Sequence, residues 1–84
     1  MPTSFHAAFA ERQVKDAAAD LAAEIAGLQR FLASIPAVSA DDADLHGIAS
    51  ASLAGAARIA AAAEKLKQRK AVCDAVRATV AAIG

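Results

Sequence analysis

One interior proline, Pro36, limits what this chain can become more than any other residue. Proline has no amide hydrogen to give a helix, and its ring disfavours helical backbone at the residue before it, here Ile35. A first helix is therefore expected to stop near Ser34. After a connection of about five residues a second helix is expected over about 40–83, with no further proline to end it. Ser39-Ala40-Asp41-Asp42 has the form of a capping box, in which Ser39 accepts a bond from a first-turn amide. Asp41, Asp42 and Asp44 suit the positive end of the helix dipole. Thr3 or Ser4 is placed to cap the first helix after Pro2. The predicted fold is all-α, a two-helix antiparallel hairpin with helices about 4–34 and 40–83. It is read as one domain, 1–84, that dimerises into a four-helix bundle.

Apolar spacing supports the hairpin. Val14, Ala18, Leu21, Ile25, Leu28, Leu32 and Ile35 alternate by four and three residues, which puts them on one stripe of a 3.5-residue repeat. The second stripe runs Leu45, Ile48, Ser52, Gly55, Ile59, Ala62, Leu66, Arg69, Cys73, Val76, Val80 and Ile83. Its middle is thin, so another helix can approach closely there. Gly55 costs about 1 kcal/mol against alanine inside a helix, which either close packing or a local bend would explain.

The predicted arms differ in length. At 1.5 Å per residue the second outruns the first by roughly 20 Å, if it is continuous through Gly47. The overhang would carry Val72, Cys73, Val76, Val80 and Ile83 as an uncovered apolar stripe, the usual mark of an interface. A break at Gly47 would shrink the mismatch. Phe5 and Phe9 lie well off the first stripe, on which Ala7 and Ala10 fall. With the hairpin closed at Pro36, the two phenylalanines would sit near Lys65–Lys70, beside the overhang. The expected partner interface is thus Phe5, Phe9, Val72, Cys73, Val76, Val80 and Ile83, met by a second copy or by a helical protein.

Composition points the same way. About a third of the chain is alanine, the best helix former, but a methyl group buries far less surface than a leucine side chain. Small domains with so thin a core commonly gain stability by oligomerising. Nine basic and nine acidic residues cancel, so no net field draws the molecule to nucleic acid or membrane. Residues 1–57 are acidic in balance and residues 58–84 basic, which suits antiparallel or intermolecular pairing. The lone Cys73 fits a reducing compartment, and residues 49–63 are too short and too weakly apolar to span a bilayer. Without a signal-peptide pattern at its start, the chain is expected to be cytoplasmic. Heavy alanine use with no asparagine, tyrosine or tryptophan fits a GC-rich bacterial genome.

No residue set has the form of an active site. Lys65, Lys67, Arg69 and Lys70 make the one basic cluster, the possible nucleic-acid contact of a small helical hairpin dimer. Helical projection scatters those charges, and no aromatic is interleaved for base stacking. His46-Gly47-Ile48-Ala49-Ser50 resembles the histidine segment of bacterial histidine-phosphotransfer domains, which are helical bundles. In that family lysine and glycine follow the histidine at three and four residues. Here Ala49 and Ser50 stand there, so the lysine that would neutralise a phosphoryl group is missing. Small secretion-system accessory proteins and secreted helical hairpins share the architecture, but their tryptophan–glycine or proline-bracketed turns are not present. His6, His46 and Cys73 are too scattered for a zinc site, and Asp41, Asp42 and Asp44 suit capping better than acid–base work. The expectation is a non-enzymatic interaction module, an adaptor, small chaperone or assembly subunit, with no cofactor, metal or small-molecule substrate indicated.

Overall fold

The computed structural model describes residues 2–35 and 41–83, which form two antiparallel helices: α1 (Pro2–Ser34) and α2 (Asp42–Ile83). The all-α hairpin is as expected. Helix α1 already begins at Pro2, so Thr3 and Ser4 fall inside its first turn instead of ahead of it. Proline is tolerated there because first-turn amides have no helical acceptor. At the other end the chain tightens as Ile35 N donates to Leu32 O at 3.3 Å and Ser34 Oγ to Phe31 O at 2.7 Å.

Asp41 caps α2. Its Oδ1 accepts the amide of Asp44 at 2.8 Å, and its carbonyl accepts the amide of Leu45 at 3.0 Å. Ser39, the cap expected from the sequence, lies outside the described residues, as does Pro36. Removing the Asp41 carboxylate by Asp41→Ala should cost about 1 kcal/mol in a urea melt, and Asp41→Asn should keep most of it. Equal loss in both variants would mean that charge, not the bond to Asp44, is what matters.

Helix α2 is continuous through Gly47 and Gly55. Gly55 is buried, and a Cβ built there would lie 2.8 Å from Leu28 Cδ1. Close packing, not a bend, therefore explains this glycine. The two backbones come together where one residue has no side chain and its neighbour across the seam fills the space.

The α1 seam differs in phase from the sequence expectation. Burial follows Ala7, Ala10, Val14, Ala17, Leu21, Glu24, Leu28, Phe31 and Ile35, again alternating by three and four. Ala18, Ile25 and Leu32, expected in the seam, face outward, and Ala17, Glu24 and Phe31 take their places. Side-chain size does not explain the exchange, since Ala17 stands in for another alanine and Phe31 for the smaller Leu32. Ala17 is only 2% exposed, and Glu24 in this phase reaches Arg58 across the seam. On α2 the expected stripe is kept, except that Arg69 and the end residues Leu45 and Ile83 are exposed.

The register also differs. Glu11 meets Arg77, Asp20 meets Lys65, Glu24 meets Arg58, and Leu28 meets Gly55. Ile83 is therefore level with the start of α1, and the excess of α2 lies at the turn end, in residues 42–47. Among the described residues there is no C-terminal overhang. The rod is 64 Å long and about 15 Å across, a length that the 42 residues of α2 account for at 1.5 Å each.

Such a shape leaves little interior. Ala10, Ala17, Gly55 and Cys73 are the buried residues among those described, and no large side chain is fully covered. Accessible surface is 6127 Å² for 8.4 kDa, where a compact monomer of that mass would have about 4600 Å². The radius of gyration is 19.1 Å, against about 12 Å for a compact chain of this length.

Candidate functional site

Two helices in a seven-residue repeat leave two flanks beside the seam, and each gathers residues from both helices. On one flank Glu11 joins Arg77 at 2.7 Å, with Lys15, Lys70 and Asp74 around them. The same flank continues by steps of seven from Glu11 to Ala18, Ile25 and Leu32. On α2 it runs back from Asp74 to Lys67, Ala60 and Leu53. On the other flank Lys65 meets Asp20 at 3.8 Å and Arg58 meets Glu24 at 3.2 Å. Steps of seven from Arg58 and Lys65 lead there to Val72 and Thr79, beside His6 and Gln13.

Charge changes sides along the rod. In the turn half the charged residues lie on the Asp20 flank, apart from Asp42 at the start of α2, and in the open half they are concentrated on the Glu11 flank. Each flank is thus apolar where the other is charged. The three ion pairs are exposed, so each contributes about 0–1 kcal/mol and serves more to hold register than to stabilise. The Arg77 guanidinium titrates above its ordinary value, first through its hydrogen bond to Glu11 and then through the nearby negative charges.

At the open end of the Asp20 flank, His6, Phe9, Gln13, Arg69, Val72 and Val76 line a shallow groove. It continues past Ala75, Thr79 and Val80. Phe9 is 53% exposed, and Phe5 turns its ring edge toward His6, with centroids 5.8 Å apart. The expected set Phe5, Phe9, Val72, Val76 and Val80 therefore does gather at one end of the rod. The α2 residues beside Phe9 are Arg69–Val76, further along than the expected Lys65–Lys70, because of the shifted register. Ile83 is exposed in the last turn. Cys73 leaves the set: it is buried in the seam beside Val14 of α1, where it acts as a small apolar filler.

The basic cluster divides. Lys65 is engaged by Asp20, and Arg69 edges the apolar groove on that flank. Lys67 and Lys70 lie on the opposite flank beside Asp74. A phosphate backbone laid along either side would meet only part of it. His46 is exposed in the turn-end extension of α2, far along the rod from His6. Among the described residues no three histidine, cysteine or carboxylate side chains converge as metal ligands.

Ile25, Leu32 and Leu53 are further exposed apolar residues, which steps of seven place on the Glu11 flank and which the sequence reading did not assign to a surface. Leu53 is 72% exposed, the most of any large apolar residue described. Its signal was present in the sequence. The alternative stripe Ala10, Ala17, Glu24, Phe31 keeps the same alternation by three and four, and choosing it for the seam would have released Ile25 and Leu32 to the surface.

No described helix is long and apolar enough to cross a membrane. No family model, curated protein or solved structure matches the chain.

Proposed function

We propose that the chain is a non-enzymatic helical assembly module, which works by packing against other helices, a second copy of itself first among them. The surface excess supports this reading most directly. Its 6127 Å² exceeds the compact expectation by roughly 1500 Å², and large apolar side chains account for part of that excess. A standard interface takes about 800 Å² from each partner, so the rod has surface enough for two. The grooves are shallow and open, suited to a helix laid along them and not to enclosing a small molecule. The open-end groove, walled by Phe9, Val72 and Val76, is the place for an amphipathic helix of a partner protein.

Mass measurement by light scattering and native mass spectrometry tests the reading. The purified chain should have a mass above 8.4 kDa that falls on dilution. A single chain at every accessible concentration would remove the proposal.

A further inference from the structure

Resting on that assembly reading, we infer that a second copy covers the turn half of the Glu11 flank, where Ile25, Leu32 and Leu53 stand exposed, leaving the open-end groove free. Three observations carry it. The first is self-compatibility. A two-fold interface sets a patch against itself, so a fixed charge near the axis meets its like. The positions on this half-flank are Ala18, Ala22, Ile25, Gln29 and Leu32 on α1, and Ala49, Leu53, Ala56, Ala60 and Ala63 on α2, all uncharged. The open-end groove instead carries Arg69 and His6 at its edge.

The second is shape. Alanines around the three large residues allow helices of two rods to approach closely, over a face about 21 Å long at 1.5 Å per residue. The third is charge at its margins. Asp42, Ala49, Ala56, Ala63 and Lys70 follow one another by sevens along this flank. A two-fold axis perpendicular to the rods and passing near Ala56 sets Asp42 of each copy opposite Lys70 of the other. The residue numbers are symmetric about that axis, 14 before and 14 after. An axis along the rods would instead set Lys70 against Lys70 and Asp42 against Asp42. The copies therefore run in opposite directions, overlapping from Asp42 to Lys70 and leaving the open ends free. The dimer should span roughly 80 Å, longer than the 64 Å of one rod.

The test uses the full chain with sedimentation equilibrium, solution scattering and circular dichroism. Leu53→Asp, on an exposed side chain, should keep full helicity and weaken the dimer by roughly a hundredfold or more. Val72→Asp should leave the dimer intact. Lys70→Glu should weaken it, and adding Asp42→Lys should restore it. A dimer that survives Leu53→Asp or dissociates with Val72→Asp overturns the inference while leaving the assembly reading standing. A charge swap that fails to restore association, or a wild-type length near 64 Å, overturns the antiparallel arrangement. A wild-type chain that is always monomeric defeats both readings.

Discussion

Ala17→Asp is expected to abolish most of the helical circular dichroism at 25 °C, while Ala18→Asp, one residue along, should leave it nearly intact. Ala17 is 2% exposed in the seam against α2, so a carboxylate introduced there is withdrawn from water. An unpaired charge buried there costs about 3–5 kcal/mol. At the usual 0.05–0.15 kcal/mol per residue, the whole fold has only about 4–13 kcal/mol to lose. Ala18 points outward from the seam on the Glu11 flank, so a carboxylate there can weaken association but is not buried between α1 and α2. Far-UV circular dichroism reads the comparison in either oligomeric state. Equal damage from both variants, or greater damage at position 18, would show that the seam runs through Ala18, Ile25 and Leu32 after all.

The second large effect belongs to the contact between Leu28 and Gly55. Leu28→Ala should lower stability by about 2–3 kcal/mol, in the lower part of the range for leucine truncations because Leu28 is only half buried. Gly55→Ala in the natural background sets two terms against each other. Alanine gains about 1 kcal/mol of helix propensity, but its Cβ would stand 2.8 Å from Leu28 Cδ1, which must move aside. In the Leu28→Ala background that obstacle is gone, so Gly55→Ala should recover about 1 kcal/mol. The pair is expected to be non-additive in a double-mutant cycle read by chemical denaturation. Strict additivity would mean that the two residues do not touch in solution.

The helices were legible because their causes are local. Pro36 stops helix formation at Ile35 whatever lies elsewhere, Asp41, Asp42 and Asp44 favour a helix start wherever they occur, and alanine favours helix at every position it fills. The outward placement of Phe5 and Phe9 was legible too, since a strong 3.5-residue repeat excludes them from any seam that holds Ala7 and Ala10. The α1 seam was not. Both Ile25 with Leu32 and Glu24 with Phe31 continue a heptad from Leu21 and Leu28, and ranking by hydrophobicity favours the wrong pair.

The candidate docking site was half legible for the same reason. Phe9, Val72, Val76 and Val80 were expected close together and do lie at one end of the rod, but the described residues form no such overhang. Its premise was that the hairpin closes directly at Pro36, so that all the extra length of α2 falls at its far end. The structure places that length at the turn, which slides α2 along α1 and brings Arg69–Val76, not Lys65–Lys70, beside Phe9.

Sequence by itself determined two helices, their ends to within a few residues, and a supply of apolar surface larger than a hairpin can bury. Those properties follow from backbone bonding and side-chain propensity acting over one or two turns. Tertiary structure decided which way the helices face and how far one slides along the other. Both depend on contacts between residues 27 to 66 positions apart: Leu28 fitting over Gly55, and Glu11 reaching Arg77. No local preference distinguishes one heptad phase or one register from the next. Steric fit at the closest approach does, and it left Ile25, Leu32 and Leu53 on the surface.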